Sequence, residues 1–269
     1  EMTKWPRTDA DTILIIETLL MCAFLTMNAA DYRLQQLGEA HYTAVGAFPI
    51  SSLIAPLLPS SSFTLVAIER ACWWFHIVGI FAFLNYLPYS KHFHIVMAFP
   101  NTYYSNLRPK GEFTDMASVT NEVKAMLDPS YVPLPVVEGG KFGAKDVTDL
   151  TWKSLMDAYT CTECGRCTSV CPANLTGKLL SPRKIMMDTR DRLTEVGNNI
   201  DKHGKDHTDG KALLDNYVTR EEIWACTTCN ACTDACPINI DPLSIIVELR
   251  RFATMEEANV PASLINMFG

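Results

Sequence analysis

The sequence has no basic stripe and no excess of positive charge. Its 269 residues carry 23 Lys and Arg against 30 Asp and Glu, a net charge of −7. That balance excludes nucleic acid as a partner, because a phosphate backbone is held through clustered cations. A secretory leader pattern is also missing, and so is an initiator Met: the chain opens at Glu1 and stops at Gly269, after Ile265-Asn266-Met267-Phe268, without a closing signal. It therefore reads as an internal piece of a longer protein. No nucleophile–base pair, glycine-rich nucleotide loop or catalytic metal pattern stands out, which argues against a substrate site of its own.

Cations are scarce in one stretch in particular. Between Asp31 and Ser62 the only Lys or Arg is Arg33, whereas Lys4 and Arg7 precede that region and Lys91, Arg108 and Lys110 follow it. The imbalance matters because most apolar residues fall ahead of that last cationic group. Thr12 to Ala30 is apolar except for Glu17, Thr18, Thr26 and Asn28, and Phe63 to Leu87 is a second apolar run, interrupted early by Glu69 and Arg70. Each is long enough to cross about 30 Å of hydrocarbon, so membrane lipid is an expected partner. A buried soluble helix is the alternative for either run alone. The positive flanks predict that both ends of this pair face the cytoplasm, together with everything after Gly111. The expected location is the bacterial cytoplasmic (inner) membrane.

Ten cysteines would suit a disulfide scaffold in a small secreted domain. Eight of them instead crowd into two runs, Cys161-Thr-Glu-Cys164-Gly-Arg-Cys167-Thr-Ser-Val-Cys171-Pro172 and Cys226-Thr-Thr-Cys229-Asn-Ala-Cys232-Thr-Asp-Ala-Cys236-Pro237. Both spell C-x2-C-x2-C-x3-C-P, the spacing of bacterial two-cluster ferredoxins. Three thiolates two residues apart wrap three corners of an iron–sulfur cube, and the fourth leaves on the next helix to reach the other cube. By that pattern Cys161, Cys164, Cys167 and Cys236 hold one [4Fe–4S] cluster, and Cys226, Cys229, Cys232 and Cys171 hold the other. Structural zinc is the competing reading, but its sites pair C-x2-C units across a long gap; a third cysteine and a repeated Cys-Pro do not fit it. Cys22 and Cys72, in apolar stretches, read as small buried residues.

The stretch between the runs, Pro172 to Ala225, exceeds anything a small ferredoxin needs, and such an insertion is typical of the iron–sulfur subunits of respiratory complexes. Helices are expected over Asp146–Tyr159, over Pro182–Val196 before a polar loop Gly197–Gly210, and from Asp241-Pro242, an N-cap followed by proline at N1, to about Glu256. Thr219 and Glu222 form a capping box by spacing. The fold class is thus all-α: transmembrane helices followed by an α-helical two-cluster ferredoxin-like domain. The expected divisions are a membrane domain over 1–110, with spans 12–30 and 63–87 extending toward 99 and a larger bundle around them, a linker over 111–145, and a cluster domain over 146–269.

His76 and His94 are spaced by a whole number of helical turns. On one helix they would stand about five turns and roughly 27 Å of rise apart, on one face and at opposite membrane depths, as ligands of b-type haem. His92 falls about 160° away from His76 on the same wheel and is the weaker candidate. The bland alternative is an interfacial His94 beside Lys91 and a packed His76.

These residues have a family look. His76 through Pro88-Tyr89-Ser90-Lys91 to His94 resembles the last haem-binding helix of the respiratory nitrate reductase gamma subunit. Cys-Thr-Glu-Cys-Gly-Arg-Cys and Cys-Pro-Ile-Asn resemble the C component of heterodisulfide reductase. Together, over about residues 12–260, the chain resembles a fused membrane iron–sulfur oxidoreductase of respiratory or fatty-acid-oxidising electron chains. The resemblance implies haem b, one or two, ligated by His76 and His94 with partner histidines from spans before Glu1, since His41 sits in the outer loop. It also implies a quinone as substrate, and a cytoplasmic redox partner that is a flavoprotein or a CCG-module protein similar to the B component of heterodisulfide reductase. No CCG module occurs in this chain, which places substrate chemistry on a partner. The expected function is electron transfer between that partner and the quinone pool. The alternative is a membrane-tethered ferredoxin-like protein without haem, anchoring a catalytic partner chain.

Overall fold

A computed structural model of the chain describes residues 4–132 and 141–268. Among the described residues every regular element is helical, apart from an isolated bridge between Leu214 and Val218. The chain divides into two compact units, residues 1–93 and 94–269.

The first unit is a helical hairpin. Helix α1 spans Lys4–Leu37, a one-turn α2 spans Ser51–Ile54, and α3 spans Ser62–Tyr86. Both long helices are long and apolar enough to cross a membrane, over Arg7–Leu37 and Ser62–Tyr89. They bury little of their apolar surface on each other: 28% of the most apolar window of the first and 6% of that of the second is buried. Side chains such as Leu14, Phe24, Trp74, Val78 and Phe81 stay exposed, where a water-soluble helix would hide one apolar stripe. The two helices meet where Gly79 faces Leu20; a Cβ at Gly79 would lie 2.4 Å from a Leu20 methyl.

Helix α3 ends at Tyr86 and does not run on toward residue 99. Pro88 has no N–H to donate to the preceding turn, and a single 3-10 turn over Leu87–Tyr89 gives way to extended Ser90. Asp9 of α1 then captures the loose end. Its buried carboxylate accepts the Ser90 hydroxyl at 3.1 Å and the Lys91 N–H at 2.9 Å, as well as the Tyr86 hydroxyl. The Ser90 oxygen in turn accepts the His92 N–H at 3.1 Å.

The second unit begins with α4, Phe93–Tyr103, earlier than the expected boundary at 110. Buried Asn101 explains the difference: it donates to the Ile238 carbonyl at 3.0 Å and accepts Lys153 Nζ at 3.1 Å, so α4 is part of the cluster-domain core. The expected linker contains α5, Ala117–Leu127, and residues 133–140 within it lie outside the described residues. The helix expected over Asp146–Tyr159 is two pieces, a 3-10 turn Val147–Asp149 and α6, Trp152–Thr160. Asp146 and Asp149 close a capping box on the turn, and Thr151 caps α6 anew. Short helices α7, Arg166–Ser169, and α8, Pro172–Leu175, complete the first cysteine segment. Helix α9, Pro182–His203, runs through Gly197 and shortens the expected polar loop, because His203 and Lys202 suit its last turn. After α10, Leu213–Asn216, come α11, Arg220–Ala225, α12, Ala231–Asp234, and α13, Pro242–Arg251. A π-turn, Phe252–Glu256, extends α13 to its expected end, and α14 spans Ala262–Phe268.

The core of this unit packs α9 and α13 around Ile185, Met186, Leu213, Ile223, Ile245 and Leu249, all essentially buried. Gly143 makes room for α13: its φ is +76°, and a Cβ there would meet the Glu248 carbonyl at 2.4 Å. Arg192, 3% exposed, fastens the long insertion. It bonds Asp146 at 2.7 Å, Glu195 at 3.1 Å, Asp209 at 2.5 Å and the Lys211 carbonyl at 2.8 Å.

Candidate cluster-binding site

The two cysteine runs fold alike. In each, a helix ends at the first cysteine and a one-turn helix starts near the third. Between them the backbone turns left-handed twice, at Glu163 (φ 61°) and Gly165 (φ 81°), then at Thr228 (φ 55°) and Asn230 (φ 61°). A β-branched residue such as Thr228 adopts that conformation rarely and at a cost. The reward is local: the Thr228 N–H points back to Cys226 Sγ at 3.4 Å, and the Glu163 N–H bonds the Cys161 thiol in the same way. Beyond each run the pairing continues. Thr168 contacts Ser181, the N-cap of α9, at 2.9 Å, and Thr233 donates to Asp241, the N-cap of α13, at 3.2 Å.

The fold brings thiols of the two runs within electrostatic reach of one another. Cys161 and Cys167 interact electrostatically with Cys236, and Cys167 with Cys164. Cys226 interacts with Cys171, Cys229 and Cys232. Cys161, Cys164, Cys167 and Cys236, together with Cys232 of the second run, line an apolar hollow walled by Met186, Pro237, Ile238 and Ile240. Burial pushes the Cys161 and Cys232 thiols up to about 12, and raises Cys167 and Cys226 as well. Thiolates in so dry a site would need a cation beside them.

Among the described residues no three Cys, His, Asp or Glu side chains converge closely enough to hold one metal ion. Tetrahedral zinc would draw sulfurs to about 3.8 Å of one another, given Zn–S bonds of about 2.3 Å. Main-chain N–H groups of Glu163 and Thr228 are aimed at the Cys161 and Cys226 sulfurs. Soft thiolates, an apolar wall and N–H donors are the surroundings that an iron–sulfur cube takes. When bound, such clusters supply one-electron transfer; the residues around them hold, insulate and tune.

Two basic residues beside these loops carry no motif. Arg190 and Arg250 stand at the same distance along the sequence from the N-caps of their helices, Ser181 and Asp241. Arg190 pairs with Glu163 at 2.7 Å. Arg250 donates to the carbonyls of Ile223, at 2.8 Å, and Cys226, and lies over the Trp224 ring. Aligning the two helices on their N-cap and proline pairs, Ser181-Pro182 and Asp241-Pro242, would have found them.

The histidines are placed differently from expectation. His76 lies on α3 and His94 on α4, with the non-α-helical stretch Leu87–His92 between them, so the two do not stand five turns apart on one helix. His76 Nδ1 lies 2.9 Å from the Leu20 carbonyl. A carbonyl only accepts, so Nδ1 is the donor in this pair. The His92 ring packs edge-on against Phe83. Cys22 is exposed and Cys72 half-buried, so neither is the fully buried core residue expected.

Fold and site define an all-helical electron-transfer module for two iron–sulfur clusters, joined in one chain to two helices of membrane-spanning length. Residues 160–240 match the 4Fe-4S dicluster domain family, and the chain contains that domain. It is similar to a Bacillus subtilis protein named "Probable iron-sulfur-binding oxidoreductase FadF", 31% identical over 79% of this chain and 32% of the relative. It is also similar to the EtfAB:quinone oxidoreductase of Syntrophomonas wolfei, 27% identical over 94% of this chain and 36% of the relative. A third relative is the C component of a ferredoxin/F420H2-dependent CoB-CoM heterodisulfide reductase of Methanosarcina acetivorans, 33% identical over 39% of this chain and 52% of the relative. The chain spans about a third of the length of the first two. No solved structure matches.

Proposed function

We propose that this chain is the membrane electron-transfer segment of an iron–sulfur oxidoreductase, passing electrons between a cytoplasmic redox partner and the quinone pool. Cys161, Cys164, Cys167 and Cys236 hold one [4Fe–4S] cluster, and Cys226, Cys229, Cys232 and Cys171 the other. The observation that carries the reading is the crossed grouping of thiols in a chain that also has two membrane-length helices. The similarity to an EtfAB:quinone oxidoreductase over most of the chain supports quinone as the terminal acceptor or donor, and a flavoprotein is then the natural partner.

Haem b belongs to the same reading. The hydrogen bond to Leu20 sets the His76 tautomer, and a metal-ligating histidine is ordinarily held by such a bond through its other nitrogen. His94 is the second proposed ligand. The cluster domain faces the cytoplasm of a bacterial inner membrane, on the argument of the cationic flanks.

A visible spectrum of the purified membrane complex, recorded beside low-temperature EPR, tests this directly. The expected result is two [4Fe–4S] signals and a b-type absorbance that falls in His76→Ala and in His94→Ala while the EPR signals persist. Full haem content in both variants would reject His76 and His94 as ligands, and no haem at all would leave a haem-free tethered ferredoxin as the function.

A further inference from the structure

The repeat places Arg190 and Arg250 at equivalent positions, yet the two are electrically unlike. Arg190 is 14% exposed and forms an ion pair with Glu163, itself 2% exposed, inside the first cysteine loop. The residue equivalent to Glu163 in the second loop is Thr228, which has no charge. Arg250 makes no ion pair among the described residues; its partners are the Ile223 and Cys226 carbonyls and the Trp224 ring. Both cations reach a thiol electrostatically, Arg250 that of Cys226 and Arg190 that of Cys161, but only Arg190 does so with a buried carboxylate, Glu163, beside it. A half-buried cation with dipoles and no counter-ion keeps its field, whereas one beside a buried carboxylate largely loses it at a distance.

We propose that Arg250 is a tuning residue for the cluster site of Cys226, Cys229, Cys232 and Cys171, holding its reduction potential up, and that Glu163 masks the equivalent Arg190 at the site of Cys161, Cys164, Cys167 and Cys236. Reduction adds one negative charge to a thiolate-ligated cluster, and a nearby positive charge stabilises the reduced form. The same arginine position therefore acts fully on one site and weakly on the other. This deepens the proposed function and rests on both sets holding clusters.

EPR-monitored redox titration of the purified full chain, with iron and sulfide analysis, tests it. Arg250→Gln is expected to lower one midpoint by a tenfold shift in the reduction equilibrium or more, about 59 mV for a one-electron couple, and to leave the other in place. Arg250→Lys, which restores the charge without the two-carbonyl grip, should recover most of that shift; a purely structural arginine would not be rescued this way. Glu163→Gln should unmask Arg190 and raise the other midpoint. If Arg250→Gln costs the cluster itself, the Glu163→Gln midpoint decides alone. Unmoved midpoints in variants with full iron content would overturn the inference while leaving the cluster reading intact. Absence of two four-iron signals in the unaltered protein would instead remove that reading.

Discussion

The carboxylate of Asp9 accepts the backbone N–H of Lys91 at 2.9 Å, fixing the first turns of α1 to the end of the α3 segment. The same oxygen takes the Ser90 hydroxyl, so one buried carboxylate serves donors freed where α3 stops. Where the second apolar run stops is thereby decided from the far end of the hairpin's sequence.

Asp9→Ala should destabilise the helical hairpin by about 1–3 kcal/mol, the cost of leaving buried donors without an acceptor. Thermal unfolding of the detergent-solubilised protein, followed by intrinsic Trp fluorescence, measures this. The cluster EPR signals should remain. A melting curve identical to that of the unaltered protein would show that Asp9 does not hold this joint.

Arg192→Leu removes a buried cation from three carboxylates and should cost the cluster unit on the order of 3 kcal/mol. Acid stability should change with it. Hydrogen bonds from Lys211, Tyr217 and Arg192 hold Glu195 down at about 2, and Arg192 holds Asp209 below the usual carboxylate range. Folded-state values below unfolded ones add stability above about pH 4.5 and lose it as pH falls toward 2. The variant should be weaker at pH 7 and lose less on acidification, as denaturant titrations at several pH values would report. An acid limb as steep as that of the unaltered protein would contradict the role given to Arg192.

Cys171→Ser should damage the cluster held by Cys226, Cys229 and Cys232 more than the one held by its neighbours in sequence. EPR of the reduced protein separates the two signals. Selective loss of the first-run signal would reject the crossed assignment.

The cysteine spacing made the two-cluster domain legible at once, because thiolate chemistry ties function to a short local pattern. Caps were equally readable: Thr219 and Asp241 each bond the N–H groups that their type predicts. Tertiary effects were not. Nothing local says that Asn101 bonds Ile238 and so draws α4 into the second unit, or that Asp9 ends the run in which His76 and His94 seemed to share a face. Gly197 stayed inside α9 because insertion residues beyond it pack back through Arg192, against its weak propensity. Arg190 and Arg250 escaped notice since an isolated arginine on a helix has no signature until its neighbour is known.

The crossing of the thiol sets makes the repeat unlike beads on a string. In a modular array each unit closes its own site, and units can be cut apart, reordered or lost singly. Under the proposed ligation Cys171 is lent by the first half to the second and Cys236 is returned, so neither half would be whole without the other. The insertion between the runs can lengthen or vary, but the two halves are bound to be inherited, folded and assembled as one.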